Sequence, residues 1–347
     1  MIYTSHENYR KAWDDSELID PPVPLNIDLE LASICNLRCP MCFIPDPSFE
    51  DFISQKSEDG KPLRRVMSTE MAFKIIDQAA EIGVPAIKFN WRGESTIAPN
   101  YSKIVSYASE KTMMSGSFGA DGYTEEPSFF ELLSNTNANC PDAALDGLMK
   151  CTKVMISLDS MVPETYLKMR VGGNLDKAKG TINKLIKRGH KNVWVRRVLT
   201  KENYKEDFFG MVRSEWGDKV HVSQHYCFDR NINNYMEISG CDHDQDMPRK
   251  YCQYPSQRLV ITSRGMVYPC CIDLHETIPV GDINKQTLLE IWNGEPMKKL
   301  RSDLRSNDVS KMNPTCQHCE SWMSYDVDQR NFVKDIEIIE QSGNKII

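Results

Sequence analysis

Nowhere in the 347 residues does an apolar run approach the 18 or so that a membrane-spanning helix needs. The N-terminus, Met1-Ile-Tyr-Thr-Ser-His-Glu-Asn8, lacks a basic stretch followed by an apolar one, so no export signal is read there. Positive charge is also short. Against 49 Asp and Glu stand 42 Lys and Arg, the net charge is −7, and no segment concentrates Lys and Arg away from acids. Binding nucleic acid by neutralising phosphates requires such a segment, so neither nucleic acid nor membrane is an expected partner. These absences together predict a cytoplasmic protein.

Cysteine, by contrast, is abundant. Twelve cysteines suit a disulfide framework only in a small secreted domain, and this chain is long and carries no export signal, so metal sites account for them better. Cys35, Cys39 and Cys42 follow the alternating run Leu25-Asn-Ile-Asp-Leu-Glu-Leu31 directly. Three thiolates at this spacing, on a loop leaving a strand, can hold three irons of a [4Fe-4S] cube and leave the fourth open to a ligand. A zinc knuckle needs a fourth ligand, and the nearest histidine, His6, precedes the strand.

Later in the chain stand Cys252, Cys270 and Cys316-x2-Cys319, with residues 259–268 reading as a hairpin that turns at Gly265, four residues short of Cys270. Four thiolates can close every iron of a second cluster, or hold zinc tetrahedrally. Cys271 stands beside Cys270 as an alternative ligand. The remaining Cys140, Cys151, Cys227 and Cys241 read chiefly as small buried hydrophobes.

Strands and helices alternate between these sets. Residues 25–31 and 86–91, a segment near Ser115 to Ala120, 153–158, 193–198 and 220–228 read as strands. Ser68 caps a helix stopped at Gly83; a second helix follows Pro99, a third ends at Gly189, and another spans about 204 to 216. This rhythm predicts an α/β fold with a parallel sheet. Six units are too few to close an eight-stranded barrel, so the expected form is a partial (β/α)6 TIM-like barrel, with ligands at the carboxyl ends of its strands. The segment 44–66 is a long polar insertion and a candidate lid or substrate loop.

Cys35-x3-Cys39-x-Met41-Cys42 resembles the signature of the radical SAM superfamily. The resemblance implies a [4Fe-4S] cluster whose open iron chelates S-adenosylmethionine, and reductive cleavage of that cofactor to a 5′-deoxyadenosyl radical. It implies a reducing partner such as a flavodoxin or ferredoxin. Met41 fits the apolar position before the third cysteine. Gly93-Glu94 matches the centre of the family's Gly-Gly-Glu-Pro segment, with Arg92 and Ser95 departing from it; Ser157 and Asp159 match a segment that faces the methionine or ribose, with capping of the next helix as the alternative role. Tyr166-x3-Arg170-x-Gly-Gly173 resembles a stretch common in one subgroup, and surface pairing is the default expectation for Arg170.

The second cysteine set, with Gly281-Asp-Ile283 and Trp292, resembles the SPASM module in its shortened twitch form. That implies an auxiliary [4Fe-4S] cluster on Cys252, Cys270, Cys316 and Cys319. The expected organisation is an N-terminal extension over 1–24, a radical SAM core over 25–230, a linker over 231–251, and a small α+β auxiliary-cluster module over 252–347. The leading expectation for function is an oxidoreductase that dehydrogenates, or epimerises, a small-molecule sugar, cyclitol or nucleotide-sugar. Arg196, Arg197, His225 and Tyr226 are candidate bases, and Cys227 or Cys241 a candidate hydrogen donor. A peptide-modifying maturase is the alternative, disfavoured because 24 residues are too few for a leader-binding domain. A non-enzymatic iron-sulfur or zinc scaffold is the third.

Overall fold

The computed structural model of the chain describes residue 3 and residues 5–16, 19–57, 60–115, 124–226, 251–317 and 319, with backbone alone for 112–115, 124–127 and 226. Cys227 and Cys241 lie outside the described residues, as do most of 231–251 and the chain beyond 319.

The strands are β1 (Asn26–Leu29), β2 (Ala86–Lys88), β3 (Thr112–Ser115), β4 (Thr124–Pro127), β5 (Glu131–Thr136), β6 (Lys153–Ser157), β7 (Val193–Leu199), β8 (His221–Tyr226), β9 (Arg258–Ile261), β10 (Met266–Tyr268) and β11 (Gly281–Asp282). Nine of them form one sheet in the order β11-β10-β9-β1-β2-β5-β6-β7-β8. From β9 through β8 every neighbouring pair is parallel. Six consecutive members, β1, β2, β5, β6, β7 and β8, are the expected partial barrel.

The third barrel strand is not the expected one. Of the segment expected near 115–120 only Ser115 lies within the described residues, at the end of β3, which pairs with β4 in a separate antiparallel hairpin; 131–136 takes the place between β2 and β6. The C-terminal module is no detached appendage either: β9 lies parallel to β1 with Ile27 opposite Leu259, so its hairpin extends the barrel sheet.

Local chemistry explains the helices. Ser68 Oγ accepts from Met71 N at the start of helix Thr69–Ile82, and Gly83, at φ 79°, ends it in the left-handed conformation that glycine adopts without steric cost. Its Ala72, Ile75, Ile76 and Ala79 are buried. Helices Tyr101–Ser109, Leu175–Lys187 and Phe208–Trp216 bury their own apolar stripes in the same core. The first strand, β1, is buried at all four positions, as expected for a central parallel strand covered on both faces.

The 44–66 insertion contains a helix, Pro47–Ile53, capped by Asp46. Ile44, Phe49, Ile53 and Leu63 form a small apolar cluster against Cys35 and Cys42, so this segment covers the cysteine loop. Among the described residues no helix is long and apolar enough to cross a membrane.

Candidate active site

Cys35, Cys39 and Cys42 leave the carboxyl end of β1 and line a cavity of about 200 Å³ together with Gly93, Glu94, Asn135, Ser157 and Arg170. The loop is braced from several strands. Asn36 Nδ2 donates to Asn139 O at 3.0 Å, Asn137 Nδ2 donates to Asn36 Oδ1 at 2.9 Å, and Arg38 N donates to Val171 O at 2.9 Å. Burial pushes the Cys35 thiol up to about 11 and the Cys42 thiol to about 12, so metal ligation is what makes such sulfurs thiolates at neutral pH.

Gly93 is required by space as well as by conformation. It has φ 70°, and a Cβ there meets Ala32 O at 2.3 Å and Ile34 O at 2.5 Å. Beside it Glu94 is buried. Its Oε1 accepts from Thr96 Oγ1 at 2.5 Å and Thr96 N at 3.3 Å and its Oε2 from Asn137 N at 2.8 Å, leaving Oε2 capacity for a further donor. Burial raises its pKa above the usual carboxyl range, against the lowering effect of those hydrogen bonds.

Ser157 lines the cavity as expected. Asp159 is fully buried at φ 67°, its Oδ1 accepting from Val198 N at 2.7 Å and its Oδ2 standing 2.5 Å from Arg170 Nε. It is not among the residues that line the cavity, so its first partner is Arg170. Surface pairing for Arg170 is thereby overturned: the guanidinium is buried and reaches Cys39 Sγ at 3.5 Å. Met41 is half-buried on the cysteine loop and is likewise absent from the lining.

The expectation of a catalytic Arg197 is corrected by its surroundings. Its guanidinium donates to Gln224 Oε1, Asn203 O and Glu206 O, which ties β7 to the following helical connection. Arg196 belongs to the opposite, lumen-facing side of β7. Desolvation, then repulsion from Arg196 and Lys153, lowers the His225 imidazole to about 4. The Tyr226 side chain lies outside the described residues.

Cys252, Cys270, Cys316 and Cys319 line a second, largely apolar pocket with Pro255, Leu300 and Leu304. Cys271 is not part of this lining; its carbonyl accepts from Trp91 Nε1 at 2.7 Å. Cys140 and Cys151 are core packing residues. Among the described residues no three His, Cys, Asp or Glu side chains are gathered tightly enough to share one ion. Donor chemistry fits iron-sulfur clusters at both places. The buried Asn135 Oδ1 on the first cavity, with no partner among the described residues, fits a polar ligand there.

The two sites are joined by a buried network that sequence reasoning missed. Arg92 Nε donates to Glu30 Oε1 at 2.7 Å, Nη2 to Glu276 Oε1 at 2.7 Å and Nη1 to Leu274 O at 3.1 Å. Glu276 is also held by Arg264 and by Tyr268 OH. The departure of Arg92 from the Gly-Gly-Glu-Pro pattern was the available signal.

A radical SAM superfamily model matches residues 29–213, and an iron-sulfur cluster-binding SPASM domain model matches 252–320. The chain belongs to the radical SAM superfamily.

Its cofactors are accordingly a [4Fe-4S] cluster and S-adenosylmethionine, with additional iron-sulfur in the SPASM region. Relatives of this radical SAM chain include the probable GTP 3′,8-cyclase of Methanococcus maripaludis, 29% identical over 161 residues, which are 46% of this chain and 45% of that protein. The GTP 3′,8-cyclase of Clostridium botulinum is 26% identical over 184 residues, 52% of this chain and 50% of that one. The chain thus spans about half the length of the curated relatives it matches.

Among solved structures, BtrN in complex with AdoMet and 2-DOIA has a TM-score of 0.53 at 18% identity, covering 87% of this chain and 94% of that one. SuiB of Streptococcus suis bound to precursor peptide SuiA gives 0.57 at 16%, covering 86% and 70%. His6-tagged anSMEcpe with bound AdoMet gives 0.55 at 16%, covering 87% and 84%. At these identities they show the fold: a radical SAM barrel with a C-terminal extension.

Proposed function

We propose that this radical SAM enzyme oxidises a sugar, cyclitol or nucleotide-linked sugar, removing two hydrogens overall. Cys35, Cys39 and Cys42 would hold the first cluster, and Cys252, Cys270, Cys316 and Cys319 the auxiliary one. When bound, the first cluster and S-adenosylmethionine supply a 5′-deoxyadenosyl radical for hydrogen abstraction, and the auxiliary cluster supplies an electron acceptor.

The chain's own residues position these partners. Gly93 would let the backbone approach the cofactor, the Glu94 carboxylate would accept from its ammonium group, and Ser157 would bound the cavity beside it. Cys270 rather than Cys271 is the ligand, because Cys270 shares the pocket with the other three thiols.

The observation that carries the reading is that one stretch, Trp91 to Glu94, reaches the first cavity and is hydrogen-bonded to the 271–276 segment that follows Cys270. Trp91 bonds the Cys271 carbonyl, Arg92 the Glu276 carboxylate, and Glu94 lines the first cavity. A substrate radical formed in the barrel then has an electron acceptor anchored to the same loop as the cofactor. BtrN, solved with 2-DOIA, supports a small-molecule substrate, whereas SuiB, solved with a precursor peptide, supports a peptide-modifying reading.

Anaerobic turnover with deuterated candidates separates the two. Deuterium carried from a sugar or cyclitol carbon into 5′-deoxyadenosine, with a product two hydrogens lighter, supports the proposal. Transfer from peptides alone overturns it.

A further inference from the structure

The lumen of the barrel carries positive charge that the cofactor cavity does not use. In the parallel register Ser157 stands opposite Arg196, and Arg196 opposite Ser223. Lys153, Arg196 and Ser223 therefore project from the same face of the sheet as Ser157, which lines the cluster cavity. The other face, with Val154, Ile156, Val193 and Val195, is fully buried against the helices.

Three polar atoms on the lumen face are buried with no partner among the described residues: Asn135 Oδ1, an acceptor, and Arg196 Nε and Ser223 Oγ, which can donate. The other recorded contact of Arg196 is Nη2 on the Met155 sulfur at 3.4 Å. Lys153 Nζ sits over the Trp194 ring at 4.2 Å. Buried donors are rarely left unsatisfied, because each costs about 1–3 kcal/mol when it has no acceptor.

Nearby acids are already engaged. Asp159 pairs with Arg170, and Glu131 accepts from His6 Nε2 at 2.9 Å and Tyr9 OH at 3.3 Å. Burial without a full counter-charge pulls Arg196 down to about 10, and Lys153 is lowered by desolvation and then by Arg196, partly offset by Glu131.

We propose that Arg196, Ser223 and Lys153 form an anion subsite in the lumen that takes a phosphoryl group of the substrate. The subsite rests on the small-molecule reading above and narrows it. The favoured substrate is a phosphorylated or nucleotide-linked sugar, and an aminocyclitol, being a cation, is disfavoured. The same donors suit one other anion within reach, the carboxylate of S-adenosylmethionine, which the test distinguishes.

The test is calorimetric binding of inorganic pyrophosphate to the anaerobic, cluster-loaded protein, with S-adenosylmethionine affinity measured in parallel. One pyrophosphate should bind per chain. Arg196→Gln should weaken it about tenfold or more, the usual size for a lost charge-assisted pair, with cofactor affinity unchanged. Lys153→Met should weaken it severalfold and carries the test if Arg196→Gln does not fold. Absent pyrophosphate binding, equal binding by both variants, or loss of cofactor affinity in its place would overturn the proposal. Because binding is read without turnover, the subsite fails or stands separately from sugar oxidation.

Discussion

Arg170 donates through Nη1 to the sulfur of Cys39 at 3.5 Å, and its Nε stands 2.5 Å from Asp159 Oδ2. A cation so placed stabilises the negative charge of the Cys39 thiolate and of the added electron when the cluster is reduced. Arg170→Gln should therefore lower the first cluster's reduction potential and slow cofactor cleavage, read by electron paramagnetic resonance during a redox titration. It also strands Asp159 as a buried, unpaired charge, so a loss of about 3–5 kcal/mol of stability is expected in denaturant unfolding. Asp159→Asn should shift the potential the other way, upward, since it removes a nearby negative charge while the guanidinium stays beside the sulfur.

Gly93→Ala tests the cofactor loop. With backbone oxygens at 2.3 and 2.5 Å from the added methyl, the loop has to move away from Ala32 and Ile34. S-adenosylmethionine affinity should fall by at least tenfold while the auxiliary cluster still assembles, measured by equilibrium binding and iron content.

Glu94 couples function against stability. Because burial lets the folded protein keep the Glu94 proton above its ordinary 4.5, the folded state binds more protons than the unfolded chain over the window that opens there. Its contribution to stability therefore falls as pH rises through that window. Glu94→Gln should be as stable as the parent near pH 4.5 and more stable at pH 7 without cofactor, yet bind S-adenosylmethionine more weakly. Unfolding curves at the two pH values check the first part; an unchanged difference contradicts it.

Arg92→Leu should separate the two halves of the enzyme. Glu30 and Glu276 lose their shared cation in a buried setting, with about 3–5 kcal/mol of destabilisation expected. Because Arg92 ties the core to the auxiliary module, electron paramagnetic resonance of the auxiliary cluster should broaden or shift more than that of the first.

What could be read from the sequence was what chemistry spaces rigidly. The Ser68 cap and the Gly83 stop are local and the fold uses them as expected; the cysteine sets and Gly93-Glu94 are equally local, and the fold brings each cysteine set to one cavity. Strand β5 was missed because Glu131-Leu-Leu-Ser-Asn-Thr136 sends Glu131, Leu133 and Asn135 toward the open lumen, leaving little apolar pattern. Arg170 was misjudged because its partners come from the cysteine loop and the end of β6, and only the closed fold brings them together. Nor does the sequence show that β9 pairs with β1, the contact that turns the second cysteine set from an appendage into a wall of the same sheet.

The most direct measurement is iron content of the anaerobically reconstituted protein alongside 5′-deoxyadenosine formation with dithionite. About eight irons per chain are expected, about four in Cys316→Ala and in Cys39→Ala, with 5′-deoxyadenosine lost only in Cys39→Ala. Four irons with one zinc in the parent, or 5′-deoxyadenosine formation surviving Cys39→Ala, would contradict this expectation.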